Sequence, residues 1–354
     1  MQRRIERRLI FSLVAIMAMV VAALTAFPNI HRVSLSTDIS GPATYSVKDL
    51  IRSNDDLYQV DAIQSEDTHQ LRLTLPRDVD GSAITYTEDV MTRMIEVNIP
   101  GVSSSYFYDY PMVGSSDGIR ELTFAHTGGT GILDITTTKI RCLSLTVDGN
   151  YVYLDFEDPH DIYDAIVVID AGHGGKDAGA DKLGIREKDI NLAITEKLKK
   201  YCEKSDYNIG FYYTRTEDVF VELPDRVGLS NNLGADLFLS IHNNSTASGR
   251  MSRINGAEVM YRVSDDSGAS KEFSEVCLTE LLSELGCGSK GLVAGDEIYI
   301  VRKSDAPVAL AEIGFMTNED ELAKLNDADY QDRAAHALYK AIIKTLKKNK
   351  KIGK

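Results

Sequence analysis

Along the 354 residues the pattern of apolar and polar positions changes its period twice, dividing the chain into three texts. Leu9 to Phe27, LIFSLVAIMAMVVAALTAF, carries no charge and has only Ser12 and Thr25 as polar residues. As a helix it is long enough to cross a hydrocarbon layer of roughly 30 Å. From about Arg32 to Pro159 come short strand-like runs between turn clusters: QLRLTLP, RMIEVNIP, YFYDYP, RELTFAH, GILDITT, RCLSLTVDG and YVYLDF. Ile95-Glu96-Val97-Asn98-Ile99 alternates with the period of a half-buried strand. VDGNYVYLDF predicts a hairpin turning at Asp148-Gly149 or Gly149-Asn150. The sum is an all-β, sandwich-like domain behind a less regular spacer near Ser34 to Asp56.

After Asp158 apolar strands alternate with helix-length amphipathic segments, which predicts an α/β domain with a mostly parallel sheet flanked by helices. The predicted strands are AIVVID, IGFYYT, DLFLSIH, EVMYRV, EIYIV and PVALAEI. Helices are predicted near Glu187 to Glu203, Pro224 to Asn232, Lys271 to Leu285 and Asp329 to Lys347, with Gly234 and Gly286 as stops. The closing KKNKKIGK predicts a frayed, solvated tail. The predicted division is therefore 1–30 (basic residues and membrane anchor), 31–160 (β-rich domain with its spacer), 161–348 (α/β domain) and 349–354 (basic tail).

Charge changes the picture in one respect. The formal net charge of −14 understates the acidity of the body, because Arg3, Arg4, Arg7 and Arg8 crowd one end and Lys344, Lys347, Lys348, Lys350, Lys351 and Lys354 the other. Nucleic acid is excluded as the expected partner of such a body. The leading arginines stay on the cytoplasmic side of an anchor at 9–27. A cleaved signal is the alternative, but its apolar core usually spans ~7–15 residues before a small-x-small site, which Leu24-Thr25-Ala26 does not supply. In either case the rest of the chain is exported. Cys142, Cys202, Cys277 and Cys287 form no C-x-x-C pair and allow either disulfides or buried free thiols.

The chemistry gathers in the α/β text. AIVVID runs into Ala171-Gly172-His173-Gly174-Gly175, DLFLSI delivers His242, and PVALAEI delivers Glu312, so three polar groups reach the strand ends where open α/β sheets place ligands. At 100° per residue Ile190, Ile194, Leu198 and Tyr201 form one apolar stripe, and Glu187 falls on its side at the first turn. A carboxylate turned toward a core needs a counter-charge. Two histidines and a glutamate make a known catalytic zinc set with a position left for water, and the separate Glu312 is then the general base. A phosphate loop is excluded because Asp177 follows Lys176 where Ser or Thr is required, and no G-x-S-x-G supplies a serine nucleophile.

The blocks VVIDAGHGGKDAGA, REKDINLAI, TRTEDVFVELPDRVGLSNNLGADLFLSIHNN and APVALAEIGFMTNEDE resemble, in order and spacing, the zinc-dependent N-acetylmuramoyl-L-alanine amidases of the amidase-3 type, over about Ala165 to Lys347. The resemblance implies one Zn2+ held by His173, Glu187 and His242, with Glu312 as catalytic glutamate. It implies hydrolysis of the amide between the lactyl group of N-acetylmuramic acid and L-alanine in peptidoglycan. Asn243, directly after His242, departs from the family's usual small residue; Asn243 and Asn244 are groove candidates, as are Arg215 and Arg226, which match recurring arginines and are read as structural or substrate-positioning. The stretch from Tyr261 to Glu297 shows no additional helix of the kind that blocks the zinc in some members. The β-rich region more faintly resembles the AMIN-type domains that precede such amidases, which implies an envelope partner. The expected location is the bacterial envelope, anchored in the cytoplasmic membrane with the bulk outside. The other readings are a catalytically inactive wall-binding protein and a zinc hydrolase of the same fold acting on another envelope amide.

Overall fold

The computed structural model describes residues 51–52 and 69–353. The expected anchor at 9–27, the basic residues before it and most of the spacer lie outside them. Among the described residues no helix is long and apolar enough to cross a membrane. The chain forms two compact units that divide between Phe156 and Glu157.

In the first unit the alternation seen in the sequence becomes two faces. Met94–Pro100 and Thr130–Thr137 bury every second side chain. These strands belong to a four-stranded sheet ordered Thr85–Asp89, Met94–Pro100, Thr130–Thr137, Ile119–Thr127. A five-stranded sheet is ordered Ile51–Arg52, Met112–Gly114, Leu71–Thr74, Tyr151–Glu157, Cys142–Asp148. Leu71, Leu73, Val152 and Leu154 from this sheet share one core with Val97, Ile99, Leu133 and Ile135 from the other, which is a sandwich. The hairpin turns at Gly149-Asn150, where Gly149 has φ 57°. YFYDYP departs from expectation: Tyr106–Asp109 is a helical turn, not a strand. Tyr106 and Phe107 are adjacent and both buried, which an extended strand cannot do because it sends neighbours to opposite faces. The Tyr106 hydroxyl donates to the Thr74 carbonyl at 3.0 Å.

The second unit holds a six-stranded sheet in the order Ile209–Tyr213, Ala165–Ala171, Leu237–Asn244, Val308–Phe315, Ala257–Tyr261, Ser289–Ala294. All neighbours run parallel except Val308–Phe315 with Ala257–Tyr261. Every residue of Ala165–Ala171 is buried, as a strand covered on both faces demands. One face packs Glu187–Glu203, Ala269–Leu285 and Ala328–Lys348 through Ile190, Ile194, Leu198, Phe273, Leu281, Leu338 and Ala341. Leu223–Leu233, which carries Pro224 in its first turn and stops at the left-handed Gly234, packs against Ala165–Ala171 from outside that cluster.

EIYIV is also corrected. It contributes the helix Tyr299–Lys303, in which the consecutive Ile300 and Val301 are both buried, and the edge strand is instead Ser289–Ala294. The expected frayed tail is docked: Lys351 Nζ lies 2.8 Å from the Asp236 carboxylate and Ile352 joins the core.

Candidate functional site

The four sequence-selected residues occupy one end of the second sheet. His173 follows the strand Ala165–Ala171 with φ 61°, in the left-handed region that costs a non-glycine residue of order 1–3 kcal/mol. Its loop is held from below. Arg226 Nη2 donates to the His173 carbonyl at 2.7 Å, and Arg215 donates to the carbonyls of Ala171 and Gly172 at 2.9 and 2.8 Å. Beneath them the buried Asp170 accepts from Arg226 Nη1, Thr214 Oγ1 and Ser240 Oγ at 2.6, 2.6 and 2.7 Å. Gly172 permits the approach of the second histidine, because a Cβ there would stand 2.3 Å from the His242 ring.

Glu187 is the first residue of its helix, 5 % exposed, and points between the two imidazoles. Its Oε1 lies 3.1 Å from His173 Nε2 and 3.0 Å from His242 Nδ1. The amide of Asn243 donates to Oε1 at 3.2 Å and that of Ala180 to Oε2 at 2.9 Å. Asn191, one turn further along the helix, donates to the Gly172 carbonyl at 3.1 Å. The rings stand nearly perpendicular, with centroids 4.9 Å apart. His173 Nδ1 is 2.8 Å from Asp177 Oδ2, and the Gly179 amide braces Asp177 Oδ1 at 3.1 Å. With a metal at Nε2, Asp177 would hold the ring's proton at Nδ1.

Electrostatics describe the same pocket. Burial pushes the Glu187 carboxyl up, but hydrogen bonds from His173 and His242 and their charges outweigh it and hold the group well below the usual carboxylate range. Burial lowers His173, yet its bonds and proximity to Glu187 and Asp177 leave it raised. Both shifts express a demand for positive charge among these groups. One ligand atom from each of His173, Glu187 and His242 lies within 4.8 Å of the others, and two nitrogens with a carboxylate oxygen suit a tetrahedral zinc with one open position. Glu312 is the cross-strand partner of His242. Its Oε2 is buried without a hydrogen bond, and burial followed by the charges of Glu187 and Glu258 raises the carboxyl well above its ordinary value. An orphaned carboxyl beside such a cluster is what a site made for a cation and a reacting water would contain.

The groove candidates separate. Asn243, Arg215 and Arg226 are 1, 3 and 3 % exposed, so none lines a groove: Asn243 Nδ2 donates to Asn191 Oδ1 at 2.7 Å, and the arginines are spent on backbone carbonyls and, for Arg226, on Asp170 as well. Asn244 is half-buried and donates to Glu258 Oε1 at 2.7 Å. Sequence reasoning missed Asp177, Asn191, Asp170 and Glu258 as parts of this site. Asn191 had a signal, since it stands four residues after Glu187 on the same stripe. Asp177, four residues after His173 in a glycine loop, had a weaker one, and Glu258 had none before the strand order was known.

The family model described as N-acetylmuramoyl-L-alanine amidase matches residues 167–344. The uncharacterized protein YqiI of Bacillus subtilis (strain 168) is 35% identical over 176 residues, covering 50% of this chain and 82% of that protein. The N-acetylmuramoyl-L-alanine amidase LytC of the same organism is 33% identical over 177 residues, covering 50% of this chain and 34% of that protein. Among solved structures, the catalytic domain of CwlV, an N-acetylmuramoyl-L-alanine amidase from Bacillus (Paenibacillus) polymyxa var. colistinus, is 36% identical, with a TM-score of 0.48, covering 52% of this chain and 98% of that one. The match takes in all of His173, Glu187, His242 and Glu312, and the chain that brings them together belongs to the N-acetylmuramoyl-L-alanine amidase family.

Proposed function

We propose that the chain is a zinc-dependent peptidoglycan hydrolase that cleaves the amide between the lactyl group of N-acetylmuramic acid and L-alanine. The observation that carries this reading is a single buried carboxylate, Glu187, shared by two imidazoles beside the unpartnered Glu312. His173, Glu187 and His242 would hold the metal. When bound, zinc supplies a Lewis acid for the scissile carbonyl and lowers the pKa of water to about 7. Glu312 takes a proton from the attacking water and passes it to the departing nitrogen as the C–N bond breaks. Asp177 keeps His173 in one tautomer, and the Ala180 amide at 2.9 Å and Asn191 Nδ2 at 3.5 Å keep the Glu187 carboxylate aimed. The location belongs to the proposal as well: the apolar residues 9–27 anchor the chain in the cytoplasmic membrane, the remainder lies outside, and the β sandwich acts as an AMIN-like contact with an envelope partner. The apolar run and the order of the two units support that part.

Digestion of purified peptidoglycan by the full chain, followed by mass analysis, tests the reading. Stem peptides with a free L-alanine amine are expected, and a zinc chelator should abolish their release. Glu312→Gln should lower the rate by about 10²–10⁴-fold with zinc still bound. Activity that survives chelation, or is unchanged in Glu312→Gln, would sink the mechanism.

A further inference from the structure

Glu258 stands on Ala257–Tyr261, antiparallel to the Glu312 strand, and the two glutamates are direct partners across that pair. Side chains so paired rise from the same face with Cβ atoms about 4.5–5.5 Å apart. On its other flank Glu312 is partnered by His242, so His242, Glu312 and Glu258 form a row across three neighbouring strands. Like charges directly opposite one another weaken a sheet. A site that needed only one base would be more stable with a neutral residue at position 258.

The second carboxylate is instead held in place. Asn244 Nδ2 donates to its Oε1 at 2.7 Å, and Asn244 stands just past the point where the strand pairing slips, between His242 and Asn244. The slip is itself fixed, since the Met316 amide donates to the Asn244 carbonyl at 2.7 Å. Glu258 is half-buried, and among the described residues its Oε2 has no hydrogen bond. One oxygen is thus anchored and the other is free, one strand from the base.

The amidase reaction contains one donor for which the site so far provides no acceptor. The scissile carbonyl and the water have partners, but the N–H of the same amide loses water as it comes beside these half-buried groups, and a donor left unpaired there is costly. We propose that Glu258 Oε2 accepts the N–H of the scissile amide and steers the departing nitrogen toward Glu312. The inference rests on the amidase reading and makes the site selective for amides over esters. The bonds balance. The water oxygen joins the carbonyl carbon, the C–N bond breaks, one water proton reaches the nitrogen through Glu312, and the other leaves with the new carboxyl group. The product amine keeps the hydrogen that Glu258 accepted throughout.

An ester removes the donor without removing the scissile carbonyl. Two soluble substrates therefore test the inference: a muramoyl-L-alanyl peptide, and its analogue in which L-lactate replaces L-alanine so that the bond broken is an ester. Glu258→Gln keeps the volume and the Oε1 acceptor for Asn244 but turns an N–H toward the substrate N–H. Its kcat on the amide should fall about 10–100-fold, the scale of a lost charge-assisted bond, while the ester rate changes less than about threefold. Bound zinc and thermal midpoint should stay at wild-type values. Asn244→Ala, which frees the carboxylate without removing it, should shift the amide-to-ester ratio in the same direction by a smaller factor. Parallel loss on both substrates would overturn the inference in favour of a structural role, and an unchanged amide rate would also overturn it. A second zinc per chain, present in the wild type and lost in Glu258→Gln, would overturn it by assigning Glu258 to metal. A wild-type chain inert on the amide would instead overturn the amidase reading, and the inference with it.

Discussion

The sandwich removes hydrocarbon from water and little else, whereas the α/β unit takes ionised side chains into its interior. Among the described residues, Thr137 is the buried polar side chain of the β unit, set against a core of Leu71, Val97, Leu133, Ile135 and their neighbours. The α/β unit buries Asp170, Glu187, Lys188, Arg215 and Arg226 around the His173 loop. Buried ion pairs are weak sources of stability, because desolvation offsets most of their attraction. Their concentration beneath one loop therefore points to geometry rather than strength: they hold a left-handed histidine and a carboxylate in fixed relation. The sandwich, with no such task among its buried groups, needs only close packing.

The sharpest way to break this contrast is to unbalance the buried charges. Asp170→Asn leaves Arg226 without its counter-charge and should cost about 3–5 kcal/mol, read from denaturant unfolding. The same group predicts an acid limb. Burial pushes the Asp170 carboxyl up, but Arg226 and the hydroxyls of Ser240 and Thr214 prevail and hold it below its ordinary 3.8. The folded value lies below the unfolded one, so the stabilisation is present above about pH 4 and is lost as pH falls through the folded value. That part of the acid limb should vanish in Asp170→Asn, and its persistence would assign the limb to other groups.

In the β unit the comparable injury is a cavity. Leu133→Ala should destabilise the sandwich by about 2–5 kcal/mol, while the amidase rate below the new transition stays at the wild-type value. A matching loss of rate would mean that the sandwich shapes the site. Asp177→Asn probes orientation without a large cost in folding. On the proposed zinc reading it should weaken metal binding about 10–100-fold in competition with a chelator, with the melting of the metal-free chain little changed. Smallest of all is Lys351→Ala, where a half-exposed ammonium leaves Asp236; about 0–1 kcal/mol is expected. A loss above that would show that the tail carries more than its surface ion pair.

Periodicity served well where an element is long and one-sided. Glu187–Glu203 has the bounds its stripe of Ile190, Ile194 and Leu198 predicts, and the buried strand Ala165–Ala171 agrees with AIVVID but for one residue. It failed for short apolar runs. YFYDYP and EIYIV have the letters of strands, yet both place consecutive side chains in the core as single helical turns. A run of four or five residues satisfies either period, so packing partners decide. Ser289–Ala294 was missed for a related reason: Gly291, at φ 85°, interrupts its alternation at an irregular pairing with Ala257–Tyr261.

What the amino-acid order determined alone was the division into a β text and an α/β text, the strand ends that carry His173, His242 and Glu312, and the placing of Glu187 on the inner side of its helix. These depend on local period and on which residues lie next to a strand's end. Only the tertiary structure decided that Asn243, Arg215 and Arg226 are supports rather than groove walls, that Asp177 faces His173, and that Glu258 stands beside Glu312. Those relations join residues from separate elements, and they follow from sheet order, register and a slipped pairing. Such features arise from the packing of whole elements, which no window along the chain contains.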